Sequence, residues 1–405
     1  MNIYISGISG TGMGPLALMA KQAGHTVFGS DRNAGPIVPE LEKENIEFEI
    51  GNQDGTFLDK HDVDWFVYTS ALPKDHKELV LAQEKGIKCT KRDELINFLI
   101  EELGLKMVAV AGTHGKTTTT SMIIWAAEKL GLNAAYLVGT TLGFAESGRY
   151  KPGDKFFIYE ADEYDRNFLK FHPWLSLITF VSYDHPDIYK TEEEYREAFK
   201  TFESQSENVV RGGEKDPRIF LAGAARREDA TTAIKAVKMM AEVEGKILKD
   251  EDIIEALNSF PGVGRRFEKI SDGVYTDYAH HPEEIEATIE IANEETEKTG
   301  KKGVVVLYEP HQNTRQHEVK NGYKSVFNNA KKVFWLPTYL TREDESLEII
   351  KPEDFIKSLD EPGIAEVAEL NDELAQRIRN LRDEGYLILL MTAGPADAWL
   401  RQIFM

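Results

Sequence analysis

Met107-Val108-Ala109-Val110-Ala111-Gly112-Thr113-His114-Gly115-Lys116-Thr117-Thr118 decides how the rest of this chain is read. Five apolar residues in a row predict a short strand buried on both faces, as in the middle of a parallel sheet. The glycines at 112 and 115 break that strand, and an apolar-periodic segment through residue 130 predicts a helix. A glycine loop between strand and helix turns main-chain N–H groups toward an anion, and the helix dipole adds partial positive charge. Lys116 is placed to bridge phosphate oxygens and Thr117 to offer a hydroxyl to Mg²⁺. The usual motif has four residues between its first glycine and the Gly-Lys pair. Here two lie between Gly112 and Gly115, so this is a tighter variant.

Strands alternating with helices lie on both sides of this loop and predict an α/β fold with parallel sheets. Upstream, a strand at residues 3–5 runs into Gly7-Ile8-Ser9-Gly10-Thr11-Gly12-Met13-Gly14, followed by a helix over 15–23 and a strand over 26–29 that ends near Asp31. Another strand, 65–68, ends at Thr69-Ser70-Ala71. The first loop departs from the G-x-G-x-x-G dinucleotide pattern but keeps a Gly10-Thr11-Gly12 core. It suits a nucleotide diphosphate, and a dinucleotide and a nucleotide sugar both remain open. Downstream, strands at 156–159 and 175–181 end at Glu160-Ala161-Asp162-Glu163 and at Asp184-His185. Ligands of parallel sheets collect at that edge, and carboxylate oxygens with one imidazole suit a divalent cation.

The segment 203–230 is polar and without pattern, and helices are expected at 231–244 and 252–259. Pro261-Gly262-Val263-Gly264 reads as a hinge. A third α/β unit follows, with strands at 273–276, 303–307, 332–336 and 386–391 between acidic helices at 282–298 and 370–384. It carries Arg265-Arg266-Phe267, Asp277-Tyr278-Ala279-His280-His281-Pro282 and Glu309-Pro310-His311-Gln312-Asn313-Thr314-Arg315. Arginines here suit phosphate or carboxylate. Neighbouring histidines in a turn diverge, which argues against zinc.

The 405 residues exceed one ordinary core, so two or three domains are expected. A net charge of -21 argues against nucleic acid or an anionic membrane as the main partner. Cys89 is the only cysteine, which excludes an internal disulfide and a thiolate metal cage. No signal-peptide pattern or membrane-length apolar run occurs, so a cytoplasmic enzyme is the expectation.

Taken in order, the loop 7–14, the run from Ala109 to Thr120, Glu160–Glu163, Asp184-His185, Arg265–Phe267 and Asp277–Pro282 resemble the landmarks of the Mur ligases. The resemblance spans nearly the whole chain, and the loop followed by four threonines is its most specific part. Within the family the chain looks like the branch acting on UDP-N-acetylmuramate, one type adding L-alanine and another a short recycled peptide. The resemblance implies three domains. These are a UDP-sugar-binding Rossmann-like domain (1–104), a central P-loop ATPase domain (105–260, shortened) and a Rossmann-like C-terminal domain for the amino substrate (261–405). It also implies an ATP- and Mg²⁺-dependent acid–amino-acid ligase of peptidoglycan precursor synthesis that works through an acyl phosphate, as a monomer or homodimer.

Carried over by position, Gly112, Thr113, His114, Gly115, Lys116, Thr117 and Thr118, with Arg266 and Asp277, would bind ATP. Thr117, Glu160 and His185 would surround magnesium. Gly7, Gly10, Gly12, Met13, Asp31 and Ser70 match the UDP-sugar side. Tyr278, His280, His311 and Arg315 would recognise the amino substrate, and Lys116, Glu160, His185, Arg266 and His280 form the catalytic set. The family's Gly-Arg-His-Asn helix start is replaced by Gly223-Ala224-Ala225-Arg226, with Asp229 near the usual asparagine. Glu163-Tyr164-Asp165 and Asp184–Ile188 lean toward the peptide ligase. Glu309-Pro310-His311 with Arg315 leans toward the L-alanine ligase, despite Gln312 at an expected arginine, and L-alanine is the acceptor favoured. A P-loop switch or kinase would leave Arg315, His280 and His311 without a task, and a dehydrogenase would leave residues 112–120 without one.

Overall fold

Three open α/β sheets follow one another along the chain. The computed structural model describes residues 1–69, 72–185, 188–341, 343–344 and 346–405. The first sheet has the order β3-β2-β1-β4-β5, all parallel: β1 (Asn2–Ser6), β2 (Thr26–Asp31), β3 (Glu47–Ile50), β4 (Trp65–Tyr68) and β5 (Lys88–Lys91). Strand order reverses between β1 and β4, so the loops leaving them part and open a crevice there. Gly7 lies at that point with φ +84°, and a Cβ on it would stand 3.3 Å from the Thr69 Cγ2. Glycine is needed there for both reasons.

The second sheet runs β11-β10-β6-β9-β7-β8, from β6 (Lys106–Ala111), β7 (Ala134–Leu137), β8 (Gly148–Arg149), β9 (Phe156–Glu160), β10 (Leu175–Ile178) and β11 (Asn208–Arg211). Only β8 is antiparallel to its neighbour. β6 is the strand quoted at the outset. It is buried from Met107 to Ala111 and sits between β9 and β10, so the loop after it is flanked by both strand ends.

Two expectations fail in this region for tertiary reasons. The strand foreseen over 175–181 stops at Ile178, because the next two residues leave the sheet to hold the glycine loop. The Phe180 carbonyl accepts from the Thr113 N–H at 2.7 Å, and the Thr179 hydroxyl donates to the His114 carbonyl at 2.5 Å. The patternless segment contains edge strand β11 and the start of a helix, Ala224–Glu244, that begins about two turns before the expected residue 231. Glu294 holds that early start by accepting from Gly223 N at 3.0 Å and pairing with Arg227 at 3.0 Å.

The third sheet runs β12-β13-β17-β14-β15-β16, with β12 (Glu268–Ser271), β13 (Val274–Asp277), β14 (Val304–Glu309), β15 (Lys332–Trp335), β16 (Ala365–Val367) and β17 (Leu387–Thr392). All its pairs are parallel except β12–β13. The chain divides into two compact units. Residues 1–219 with 228–261 form one, and residues 220–227 with 262–405 form the other. In the first, one apolar core joins Ile3 and Ile5 of β1 to Met107 and Ala109 of β6. Among the described residues no helix is long and apolar enough to cross a membrane.

Candidate active site

The helix Lys116–Leu130 begins immediately after Gly115, whose φ of +84° only glycine adopts freely. A Cβ on Gly115 would also lie 2.5 Å from the Asp229 Oδ1, which places the Asp229 side chain, distant in sequence, directly over the loop. Lys116 folds back on its own loop. Its ammonium donates to the Gly112 carbonyl at 2.5 Å, to the Thr113 carbonyl at 3.3 Å and to the Glu163 carboxylate at 2.8 Å. Burial would lower the lysine's pKa, but Glu163, Asp162 and Glu160 together hold it above its ordinary value. Burial likewise pushes the Glu163 carboxyl up, and Lys116 with His185 brings it below the usual range. A charged pair at the base of the loop results.

Glu163 is 1% exposed and central to the site. Its Oε1 lies 3.7 Å from the His185 Nε2 and 3.4 Å from the Tyr195 hydroxyl. Tyr195 in turn meets the Thr113 hydroxyl at 2.7 Å, so one buried network fixes both the lysine and the loop. His185 takes a left-handed backbone, φ 57°, unusual for a residue with a Cβ. That turn brings its ring within 3.6 Å of the Asp184 carboxylate. Thr117 donates its hydroxyl to both Glu160 oxygens at 3.0 Å each. Hydroxyl and carboxylate oxygens converging at a sheet edge are the hard donors a magnesium ion takes, so the residues present fit that ion.

In the first sheet's crevice, Gly7, Gly10 and Gly14 make successive main-chain turns. Gly10 N reaches the Gly7 carbonyl at 3.1 Å, and Gly14 N reaches that of Gly10 at 2.9 Å. Asp31 is drawn into the loop by accepting from Ser9 N at 3.0 Å. Met13 is buried and packs in the core, and Ser70 lies outside the described residues. Arg92 opens the helix Arg92–Leu103 and lies against the loop, since a Cβ on Gly12 would come 2.4 Å from its Nη1. Tyr159, then Asp162, Glu160 and Asp93, raise its pKa against the opposing effect of burial. One guanidinium therefore stands between the first glycine loop and the acidic edge of the second.

The C-terminal unit gathers the remaining candidates by itself. Asp277, at the end of β13, accepts from Phe267 N at 2.6 Å and Ala279 N at 2.7 Å, bending both flanking loops around its carboxylate. Burial pushes that carboxyl up, and nearby Arg266 opposes the shift. Tyr278 lies under two guanidinium groups, Arg265 at 4.7 Å and Arg266 at 5.2 Å from its ring centre. His280 stands edge-on to Tyr278 at 5.5 Å and to His311 at 5.6 Å. Burial drives the His280 pKa down to about 4, Glu284 opposes the fall, and Arg315 adds to it. The ring is neutral at pH 7. Its Nδ1 faces only acceptors, the Tyr278 carbonyl at 3.0 Å and Glu284 at 3.2 Å, so Nδ1 carries the proton and Nε2 keeps a free pair. That nitrogen can receive a proton from an amine.

From sequence Glu163 was given no site role beyond the acidic strand end and the Glu163-Tyr164-Asp165 branch signal, and Arg92 was not named. Glu163 had a visible signal, the fourth position of an acidic strand end. Arg92 had none, because nothing local distinguishes it from a surface arginine at a helix start.

Three family models match successive segments: "Mur ligase family, catalytic domain" over residues 2–102, "Mur ligase middle domain" over 110–211 and "Mur ligase, glutamate ligase domain" over 265–394. The chain is 30% identical over 447 residues to a UDP-N-acetylmuramate–L-alanine ligase of Clostridium botulinum, covering 97% of this chain and 95% of the relative. The chain belongs to the Mur ligase family. It is an ATP-dependent ligase built from three α/β domains, as the sequence resemblance implied. The fold of this Mur ligase matches the UDP-N-acetylmuramate–alanine ligase of Thermotoga maritima with a TM-score of 0.79 at 23% identity, over 100% of this chain and 98% of the other. It matches a murein peptide ligase of Psychrobacter arcticus at 0.64 and 21%, with the same two coverages.

Proposed function

We propose that this Mur ligase joins the carboxyl group of UDP-N-acetylmuramate to the amino group of L-alanine, with ATP converted to ADP and phosphate. The observation that carries the reading is the Lys116–Glu163 pair under a glycine loop beside Thr117 and Glu160. A carboxylate is a poor electrophile, and transfer of the ATP γ-phosphoryl group to one of its oxygens creates a leaving group. The amine then attacks the carbonyl carbon, loses a proton, and phosphate departs with the C–O bond electrons, leaving an amide.

In this reading the main-chain N–H groups of residues 112–117 orient the triphosphate. Lys116 neutralises charge on the transferring group, with its ammonium kept protonated by Glu163. Thr117, Glu160 and His185 would hold Mg²⁺, which supplies charge neutralisation to phosphoryl oxygens when bound. The loop 7–14 with Asp31 and Arg92 receives the uridine diphosphate group. Tyr278, His280, His311 and Arg315 receive the amino acid, with the free Nε2 of His280 accepting the amine proton. Arg266 and Asp277 belong to the nucleotide side.

L-alanine relatives at 30% identity over almost the full chain support alanine over the peptide acceptor. Phosphate release is the test: UDP-N-acetylmuramate and L-alanine together should be required, with glycine, L-serine and the tripeptide L-alanyl-γ-D-glutamyl-meso-diaminopimelate run beside them. Equal ATP hydrolysis with neither substrate would remove the ligase reading, and faster release with the tripeptide would replace alanine as acceptor.

A further inference from the structure

The loops that carry His280 and His311 follow different strands, β13 and β14, yet a fully buried polar chain connects their backbones. The Tyr308 hydroxyl lies 3.3 Å from the His280 carbonyl and 2.8 Å from the Tyr323 hydroxyl. Tyr323 donates to the Gln316 Oε1 at 2.7 Å, and the Gln316 Nε2 donates to the His311 carbonyl at 3.0 Å. Tyr308, Tyr323 and Gln316 are each 0% exposed. Around them stand Phe327, Trp335 and Phe355, which offer no acceptor. Burial raises both phenol pKa values, so each hydroxyl carries one proton at any working pH.

Counting those protons gives the chain its character. Gln316 is fixed in orientation, because its amide nitrogen must face the His311 carbonyl; its oxygen therefore faces Tyr323. Both ends of the tyrosine pair then meet acceptors. Three contacts share two hydroxyl protons, so one contact always lacks a proton. The longest, 3.3 Å at the His280 carbonyl, is the one left weak. A Tyr308 proton turned toward His280 moves the deficit to the Tyr308–Tyr323 contact, or to the Gln316 oxygen if Tyr323 turns to donate to Tyr308, and Gln316 is the side chain that holds the His311 carbonyl.

We infer that Tyr308, Tyr323 and Gln316 are positioning residues that set the spacing of the His280 and His311 loops as one coupled unit, and thereby the fit of the amino acceptor. This rests on the assignment of His280 and His311 to the acceptor made above. The charged and titratable neighbours of this pair include Glu284, Arg315, Tyr278 and Tyr339, and none of these belongs to the buried chain.

The test uses Tyr323→Phe, Tyr308→Phe and Phe355→Leu in the full-length protein. Tyr323→Phe leaves the Gln316 oxygen buried without a donor, a loss that translates to about tenfold in the KM for L-alanine, with the KM values for ATP and UDP-N-acetylmuramate unchanged. Tyr308→Phe removes the contacts to the His280 carbonyl and to Tyr323 but leaves the Tyr323 proton on the Gln316 oxygen, so no buried acceptor of Gln316 is stranded and the alanine KM shifts by less than about threefold. Phe355 stacks on Trp335 and meets Tyr323 edge-on, so Phe355→Leu lowers Tm through lost packing while leaving the alanine KM in place. An alanine KM raised as much by Phe355→Leu, or all three KM values raised alike by Tyr323→Phe, overturns the inference.

A second readout is independent of turnover. In imidazole NMR spectra, Tyr323→Phe should move the ring signals of both His280 and His311, and Phe355→Leu should move neither. Movement of His311 alone means the loops are uncoupled and also overturns the inference. Absence of alanine-dependent turnover in the unaltered protein sinks the assigned function instead, and the NMR comparison still decides the coupling.

Discussion

The two glycine loops of the first unit occupy equivalent places and solve the same problem differently. Each follows a buried central strand, β1 or β6, at the point where strand order reverses, and each opens a helix. The second loop contains its own cation. Lys116 is already engaged by two loop carbonyls and by Glu163, so the loop carries stored charge balanced from below. The first loop has no lysine or arginine from Gly7 to Gly14, and its cation, Arg92, comes from a helix far along the chain. A motif that includes its charge announces itself in sequence; one that borrows its charge does not.

The largest break expected in this comparison comes from Lys116→Ala. Phosphate release should fall about 10³-fold, the scale of losing one preorganised transition-state donor, while binding of UDP, measured by calorimetry, stays normal. Unchanged amide formation in this variant would remove the second loop from the chemistry. Glu163→Gln tests the balancing charge. Removing one partner of a buried pair costs about 3 kcal/mol, so thermal or urea unfolding should show that loss even before turnover is measured. A stability like that of the unaltered protein would mean that Lys116 does not depend on Glu163.

Arg92→Gln addresses the borrowed cation. Loss of a charge-assisted contact to a diphosphate predicts about a tenfold rise in the KM for the UDP-linked substrate, with the KM for ATP unaffected. Equal weakening for ATP would show that the two loops do not have separate cations. The smallest effect lies outside both loops. His280 has an ordinary value of 6.5 and a folded value of about 4, so the unfolded chain binds its proton first as the solution is acidified. Its contribution to stability is complete above pH 6.5 and is lost as pH falls through that value toward 4. His280→Gln should flatten the pH dependence of unfolding in that window alone, and an unchanged slope would place the ring in water.

The same contrast explains what could be read from the amino-acid order. The strand 107–111, its glycine loop and the acidic strand end at Glu160 were legible because periodicity and motif lie within a few residues of one another. The early end of β10 was not, since Thr179 and Phe180 leave the sheet only to hold Thr113 and His114. The start of the helix at Ala224 was hidden for the same kind of reason: Glu294, from another helix, supplies the stabilising carboxylate. Tyr308, Tyr323 and Gln316 belong to no local motif, and only the fold brings their polar atoms together.

Order along the chain was sufficient to determine the α/β class, the three-domain make-up and the family, because each is encoded in short-range hydrophobic pattern and contiguous motif. Only the tertiary structure decided which charges face each other: Glu163 under Lys116, Arg92 over Gly12, and a shared proton deficit between the loops of His280 and His311. Electrostatic and hydrogen-bond partners are set by distance in space, and the chain brings those groups together only after its sheets have formed.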